Sequence, residues 1–218
     1  MIGSLLGHHL RWLASARDVV ATALLAVAVV GLVGLLALHD APDSARAAAA
    51  IVWLVAAIGG LLAGARVIAA ERQGGGLRGV LLAPVDRRDV FLARGLALGL
   101  IAGLATAAAL AATVVFFPTL PGHGDPRLVA IPVIAAIGLG PLGALTGLAS
   151  LSTSVGELLA TGLALPVSGP LIVAGLHATE DLLARSAGWE ASLTFATGYA
   201  VMVAALAYLV SEPATEVA

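Results

Sequence analysis

The sequence predicts an all-α integral membrane protein with six transmembrane helices, and two observations carry that reading. Of its 218 residues 60% are hydrophobic and 11% charged, with a mean hydropathy of +1.05, whereas a soluble domain is about half apolar and about a quarter charged. The charges punctuate six uncharged apolar runs, 19–38, 47–65, 95–117, 128–149, 158–176 and 191–210. Each is about long enough to cross a ~30 Å hydrocarbon core at ~1.5 Å per residue, and a helix satisfies its own backbone groups there.

Taken in order, residues 1–18 predict an interfacial amphipathic helix: Ile2, Leu5, Leu6, Leu10, Trp12, Leu13 and Ala16 share one helical face, with Ser4, His8, Arg11, Ser15 and Asp18 opposite. That helix serves as a membrane anchor or as a contact for a cytoplasmic partner. The run 19–38 follows Arg11 and Arg17, and Ala45-Arg46-Ala47 has the small-x-small form of a cleavage site. At 20 residues the run exceeds a signal peptide's apolar region of about 7 to 15, so it reads as a retained span. With their polar ends, the spans are placed at 19–38, 47–70, 87–117, 128–150, 155–178 and 191–210, in one domain covering 1–218.

Counting arginines on alternate sides gives Arg11, Arg17, Arg66, Arg72, Arg78, Arg87, Arg88 and Arg94 against Arg46, Arg127 and Arg185. The inside-positive bias then puts both termini in the cytoplasm. The outer loops are 39–46, 118–127 and 178–190. Within the spans, Gly95, Gly99 and Gly103 form a small-residue ridge for a tight packing or dimer seam. Gly60 with Gly64 and Gly143 with Gly147 repeat the spacing. Pro132, Pro141, Pro166 and Pro170 fall inside spans, where a missing N–H bends the helix.

The same pattern excludes several function classes. None of the six runs holds an ionisable residue at depth, as ion-coupled transport requires. The histidines, at 8, 9, 39, 123 and 177, have no carboxylate at metal-ligand spacing, and there is no cysteine. The chain has no lysine for a P-loop, so ATP must be bound by a partner, and no catalytic residue is assigned. A net charge of −2 argues against nucleic acid.

The longest hydrophilic stretch is "ERQGGGLRGVLLAPVDRRDVFLAR", residues 71–94. Gly74, Gly75 and Gly76 end the second span, Leu77, Val80 and Leu81 give a short apolar face, and Pro84 stops it. This predicts a short helix lying parallel to the membrane. Asp86 then caps the third span, with Asp89 at its third position and Val85 against Val90 as a hydrophobic staple, so the span starts at Arg87. Arg87 and Arg88 oppose the helix dipole at that end. They serve lipid phosphate and topology, or an acidic protein surface. In the loop 150–157, Ser154 and Glu157 make a capping box.

The motif of Glu71, Gly76, Leu77, Leu81, Leu82 and Pro84 followed by "VFLAR" resembles the cytoplasmic loop of haem exporter protein B, the CcmB family. That family is an ABC-2 type permease subunit of the cytochrome c maturation system. "IVWLVAAIGGLLA" (51–63), "GPLGALTGL" (140–148) and "LPVSGPLIV" (165–173) are similar to it as well. The resemblance implies an ABC-2 exporter fold in a bacterial inner membrane, with a coupling helix between spans 2 and 3 and Glu71, Gly76, Leu77, Leu81, Pro84, Arg87 and Arg88 facing an ATPase. It further implies a second copy, two ATPase subunits, a haem-handling membrane subunit and a haem chaperone. Where the family carries a basic pair in the second inner loop, this chain has Ser154 and Val155. Haem is the handled ligand, with no cofactor assigned to the chain itself. His39, His123 and His177, on the outer side, are its candidate axial ligands. Alternatives are an ABC-2 permease for another lipid or drug, and a non-transporting scaffold.

Overall fold

The structure, a computed structural model, describes residues 28, 31–34, 36, 38, 43–73, 87–149 and 156–216. Beyond the helical positions between 28 and 38, it comprises α1 (Ser44–Gln73), α2 (Arg87–Phe116), α3 (Ala130–Ala149), α4 (Gly156–Ala184) and α5 (Trp189–Glu216). Two 3-10 turns, Pro121–Gly124 and Pro126–Val129, join α2 to α3. No strand occurs among the described residues. By length and composition, Arg88–Phe116, Pro126–Thr146 and Trp189–Leu209 are apolar enough to cross a membrane. The amphipathic helix expected over 1–18, and the loops 74–86 and 150–155, lie outside the described residues.

Helix ends follow local chemistry. At α1 the Asp43 side chain accepts from the Arg46 N–H at 3.3 Å, and its carbonyl from Ala47 at 3.0 Å. That N-cap starts the helix at Ser44, ahead of the apolar run. Asp125 likewise accepts from the Arg127 N–H at 2.9 Å, with Pro126 at the first position of the second 3-10 turn. The outer loop expected over 178–190 is mostly helix: α4 continues to Ala184 and α5 begins at Trp189. A helix need not stop where its apolar run stops. Here it stops at Arg185, in the left-handed region with φ 54°, where the Arg185 N–H donates to Leu182 and the Ser186 N–H to Asp181. This is a Schellman closure with arginine in the place usually held by glycine.

The centre of the bundle is α3, which packs against all four other helices. More than half of the span containing it is buried, 56%, against 22% for α5. In lipid no hydrophobic drive gathers helices, so backbones must come close enough for dispersion and polar contacts to hold them. Three glycines on α3 do this in three directions. A Cβ at Gly140 would strike the Gly95 carbonyl and Gly99 of α2; one at Gly143 would meet the Gly60 carbonyl of α1; one at Gly138 would meet Leu171 of α4 and Ala200 of α5. From α2, a Cβ at Gly99 would sit 2.7 Å from the Ala136 carbonyl and one at Gly103 3.1 Å from that of Pro132, while Gly95 faces Pro141. The ridge Gly95, Gly99, Gly103 therefore lies against α3 of the same chain. Neighbours α1, α2 and α3 run alternately up and down. One end of the bundle carries the links 117–129 and 185–188 and is called the loop end; the other carries Arg87, Arg88 and Arg94 and is called the arginine end.

Candidate functional site

At the loop end, α1 and α4 are joined by charge. Arg46 Nε donates to Glu180 Oε2 at 3.3 Å, and the same oxygen lies 3.6 Å from His177 Nδ1. Below them Trp53, fully buried, donates from Nε1 to Thr179 Oγ1 at 3.0 Å, and that hydroxyl donates to the Gly175 carbonyl at 2.7 Å. The indole lies so close to α4 that a Cβ at Gly175 would fall inside its ring. A buried indole N–H needs an acceptor, and Thr179 supplies it. The link between α2 and α3 folds back onto the end of α4: a Cβ at Gly122 would collide with the backbone of Leu182 and Leu183. Arg127 lies over the Trp189 ring, 4.3 Å from its centroid, and 3.8 Å from Asp125.

His123 sits in this link. Thr113 Oγ1 donates to the Leu110 carbonyl at 2.6 Å and lies 3.5 Å from His123 Nε2. The threonine proton is thus committed to its own helix, and the His123 ring lies at the outer limit of hydrogen-bond distance from that hydroxyl. Burial pushes the His123 pKa below its ordinary value, because desolvation penalises the charged ring. Of the candidate haem ligands, His123 therefore faces Thr113, His177 faces Glu180, and His39 lies outside the described residues. Among the described residues no group of three or more His, Cys, Asp or Glu side chains forms a metal cluster.

Four buried or nearly buried threonines, Thr106, Thr113, Thr146 and Thr179, each donate to a carbonyl three or four residues back in their own helix. Their hydroxyls are satisfied locally. Tyr199 of α5 donates to the Val167 carbonyl at 2.8 Å, between Pro166 and Pro170 of α4. Both prolines lie inside the helix and are exposed.

At the arginine end, α2 starts at Arg87 with Asp89 in its first turn. Arg88 lies over the Tyr208 ring of α5, 5.8 Å from its centroid. Arg94, two turns in, is only 3% exposed. Counting arginines by side assigns it to the cytoplasmic face and says nothing of its burial; the finding is that the bundle encloses it. Glu71 falls in the last turn of α1, but its side chain and that of Arg87 lie outside the described residues, as do Gly76, Leu77, Leu81, Pro84 and the cap at Asp86. The structure thus places Arg88 and Arg94 in the first turns of α2, and the motif between α1 and α2 lies outside the described residues.

Sequence reasoning missed Trp53, Gly122 and Gly175. A tryptophan inside an apolar run, which must find an acceptor, was the available signal for the first. The two glycines gave none, because their role depends on what lies opposite. Compared with known protein families, residues 1–218 match one family model, described as CcmB protein. No curated protein matches the chain.

Proposed function

The chain belongs to the CcmB protein family, and from that premise we propose that it is the membrane-spanning permease subunit of an ABC transporter complex that exports haem, or releases a haem-loaded chaperone, during cytochrome c maturation. The carrying observation is the family match, which runs the whole length of the chain. Long apolar helices and the absence of lysine support the same reading. Energy then enters from ATP hydrolysed on a separate subunit, and the arginine end faces the cytoplasm.

In this reading the stretch 74–86, which connects α1 to α2, seats an apolar face in a groove of the ATPase. Leu77 and Leu81 are its anchors and Arg78 lies at the rim. Gly76 lets the chain turn out of α1, and Pro84 ends the short helix so that motion passes to α2. Glu71, Arg87 and Arg88 frame it. The outer partners are a haem-handling membrane subunit and a haem chaperone, with haem as cargo.

The test is co-purification with the co-expressed ATPase. Leu77→Ala with Leu81→Ala leaves the protein in the membrane but removes an anchor pair, each worth on the order of 2 kcal/mol of binding. ATPase recovery and stimulated ATP hydrolysis both fall, while Arg78→Ala changes little. Normal coupling in the double mutant at normal membrane abundance defeats the proposal. Orientation is checked separately: a cysteine at position 78 is shielded from an impermeant reagent added outside, whereas one at 43, 123 or 186 reacts.

A further inference from the structure

An apolar groove of about 380 Å³ opens on the surface of α2, α3 and α5. Its wall on α2 is Phe91, Leu92, Gly95, Leu96, Gly99 and Leu100; Ala136, Ile137 and Pro141 of α3 form its floor, and Ala204 of α5 the far side. Gly95 and Gly99 line it with backbone where α2 packs against Pro141 and Ala136 of α3. Leu96, Leu100 and Ile137 are 52%, 48% and 38% exposed, so the groove faces outward.

Two features identify an occupant. The first is length. From Phe91 to Leu100 the groove follows nine residues of helix, ~14 Å at ~1.5 Å each, which is one leaflet's share of a ~30 Å hydrocarbon core. The second is where charge stands. Arg88 lies three and four residues before Phe91 and Leu92, on the same face of α2, and Tyr208 lies one turn beyond Ala204 on α5. The Arg88 guanidinium over the Tyr208 ring closes the two walls at the groove's end. An arginine and a tyrosine at that level mark the headgroup zone. A ring stacks on the face of a guanidinium, whereas its N–H donors point along its plane, the geometry that suits phosphate.

We propose that this groove binds one anionic phospholipid, with an acyl chain along Leu92, Leu96 and Leu100 and its phosphate at Arg88. The lipid covers the exposed Leu96, Leu100 and Ile137, and it links α2, the helix entered from the coupling stretch, to α5.

The test uses the full chain reconstituted in vesicles of phosphatidylglycerol and phosphatidylethanolamine, extracted in mild detergent and analysed by native mass spectrometry. Neither ATP nor haem enters the readout, so its outcome is independent of the transport assignment. The wild-type chain retains phosphatidylglycerol about five-fold above its share of the vesicles, the scale of one arginine near an anionic headgroup. Leu100→Trp, which fills the groove, lowers retained lipid several-fold at unchanged helical content. Ile137→Trp does the same from the floor, should Leu100→Trp fail to fold. Arg88→Gln keeps lipid but loses the preference for phosphatidylglycerol. Lipid retained in vesicle proportions by the wild type, or retained equally by both tryptophan variants, overturns the proposal. So does a dimer that cross-links through cysteines at 96 and 100 and carries no lipid, which would make the occupant a second copy.

Discussion

Among the described residues, the two ends of the bundle show different kinds of contact. At the loop end, contacts cross between elements distant in sequence: Arg46 reaches Glu180, Trp53 reaches Thr179, Gly122 lies under Leu182 and Arg127 covers Trp189. At the arginine end, an apolar groove lies between α2, α3 and α5, with Arg88 over the Tyr208 ring near it. An end knit by directed contacts resists relative motion of its helices. Towards the arginine end, the described α2–α3 contact rests instead on backbone approach, Gly140 against Gly95 and Gly99.

The sharpest way to break that contrast is to pry open the loop end. Gly175→Ala puts a methyl group into the Trp53 ring, and we expect a loss of about 3 kcal/mol in unfolding from micelles, at the upper end for overpacking. Adding Trp53→Leu makes room and should recover most of the loss, a coupling of opposite sign to two independent defects. If the double mutant is worse than either single, the indole is not what Gly175 accommodates. Trp53→Phe keeps the ring but deletes the donor to Thr179. Because that hydroxyl retains the Gly175 carbonyl, the expected cost is about 1 kcal/mol, as for other interhelical bonds in membranes.

Arg185→Gly tests the same end in the stabilising direction. A side chain held at φ 54° costs roughly 1 kcal/mol that glycine avoids, so the variant should unfold later by about that amount. Unchanged stability would mean that the arginine side chain offsets its strain. Arg46→Ala should cost less than about 1 kcal/mol, since the Arg46 side chain is 57% exposed, against 19% for Glu180, and water screens the pair. A larger loss would show that the pair is shielded in the assembled protein.

The smallest effect is a pH dependence carried by His123. Its pKa in the fold lies below the ordinary 6.5 because burial opposes the charged ring. The unfolded chain therefore takes up the proton first as pH falls. Stability is complete above 6.5 and declines as pH drops from there towards the lowered value. The wild-type protein should lose stability over that window relative to His123→Gln, whose profile omits the step. Parallel profiles would remove His123 as a titrating element.

How much of this was written in the sequence depends on whether a feature is carried by one segment or by two. The helical membrane class was legible, because apolar runs of spanning length need no partner to be recognised. The ridge Gly95, Gly99, Gly103 was legible as a surface meant for close approach, but not as one turned towards α3, since a packing seam and a dimer seam share the same spacing. Gly122 and Gly138 were invisible for the same reason. The arginine tally assigns Arg94 a side but not its burial, which depends on how neighbouring helices close over it. The loop between α4 and α5 was drawn too long, because hydropathy marks where lipid ends and not where hydrogen bonding ends.

The central position of α3 carries a consequence for biogenesis. Its segment, Pro126–Thr146, has a mean hydropathy of 2.2, the highest of the three long apolar helices, yet it is the most enclosed of them in the finished bundle. A segment that apolar partitions into lipid unaided when it leaves the translocation channel, before α4 and α5 have been synthesised. Gly140 and Gly143 face α2 and α1, which precede it in the chain, so Gly138 is the glycine face left for the later α4 and α5.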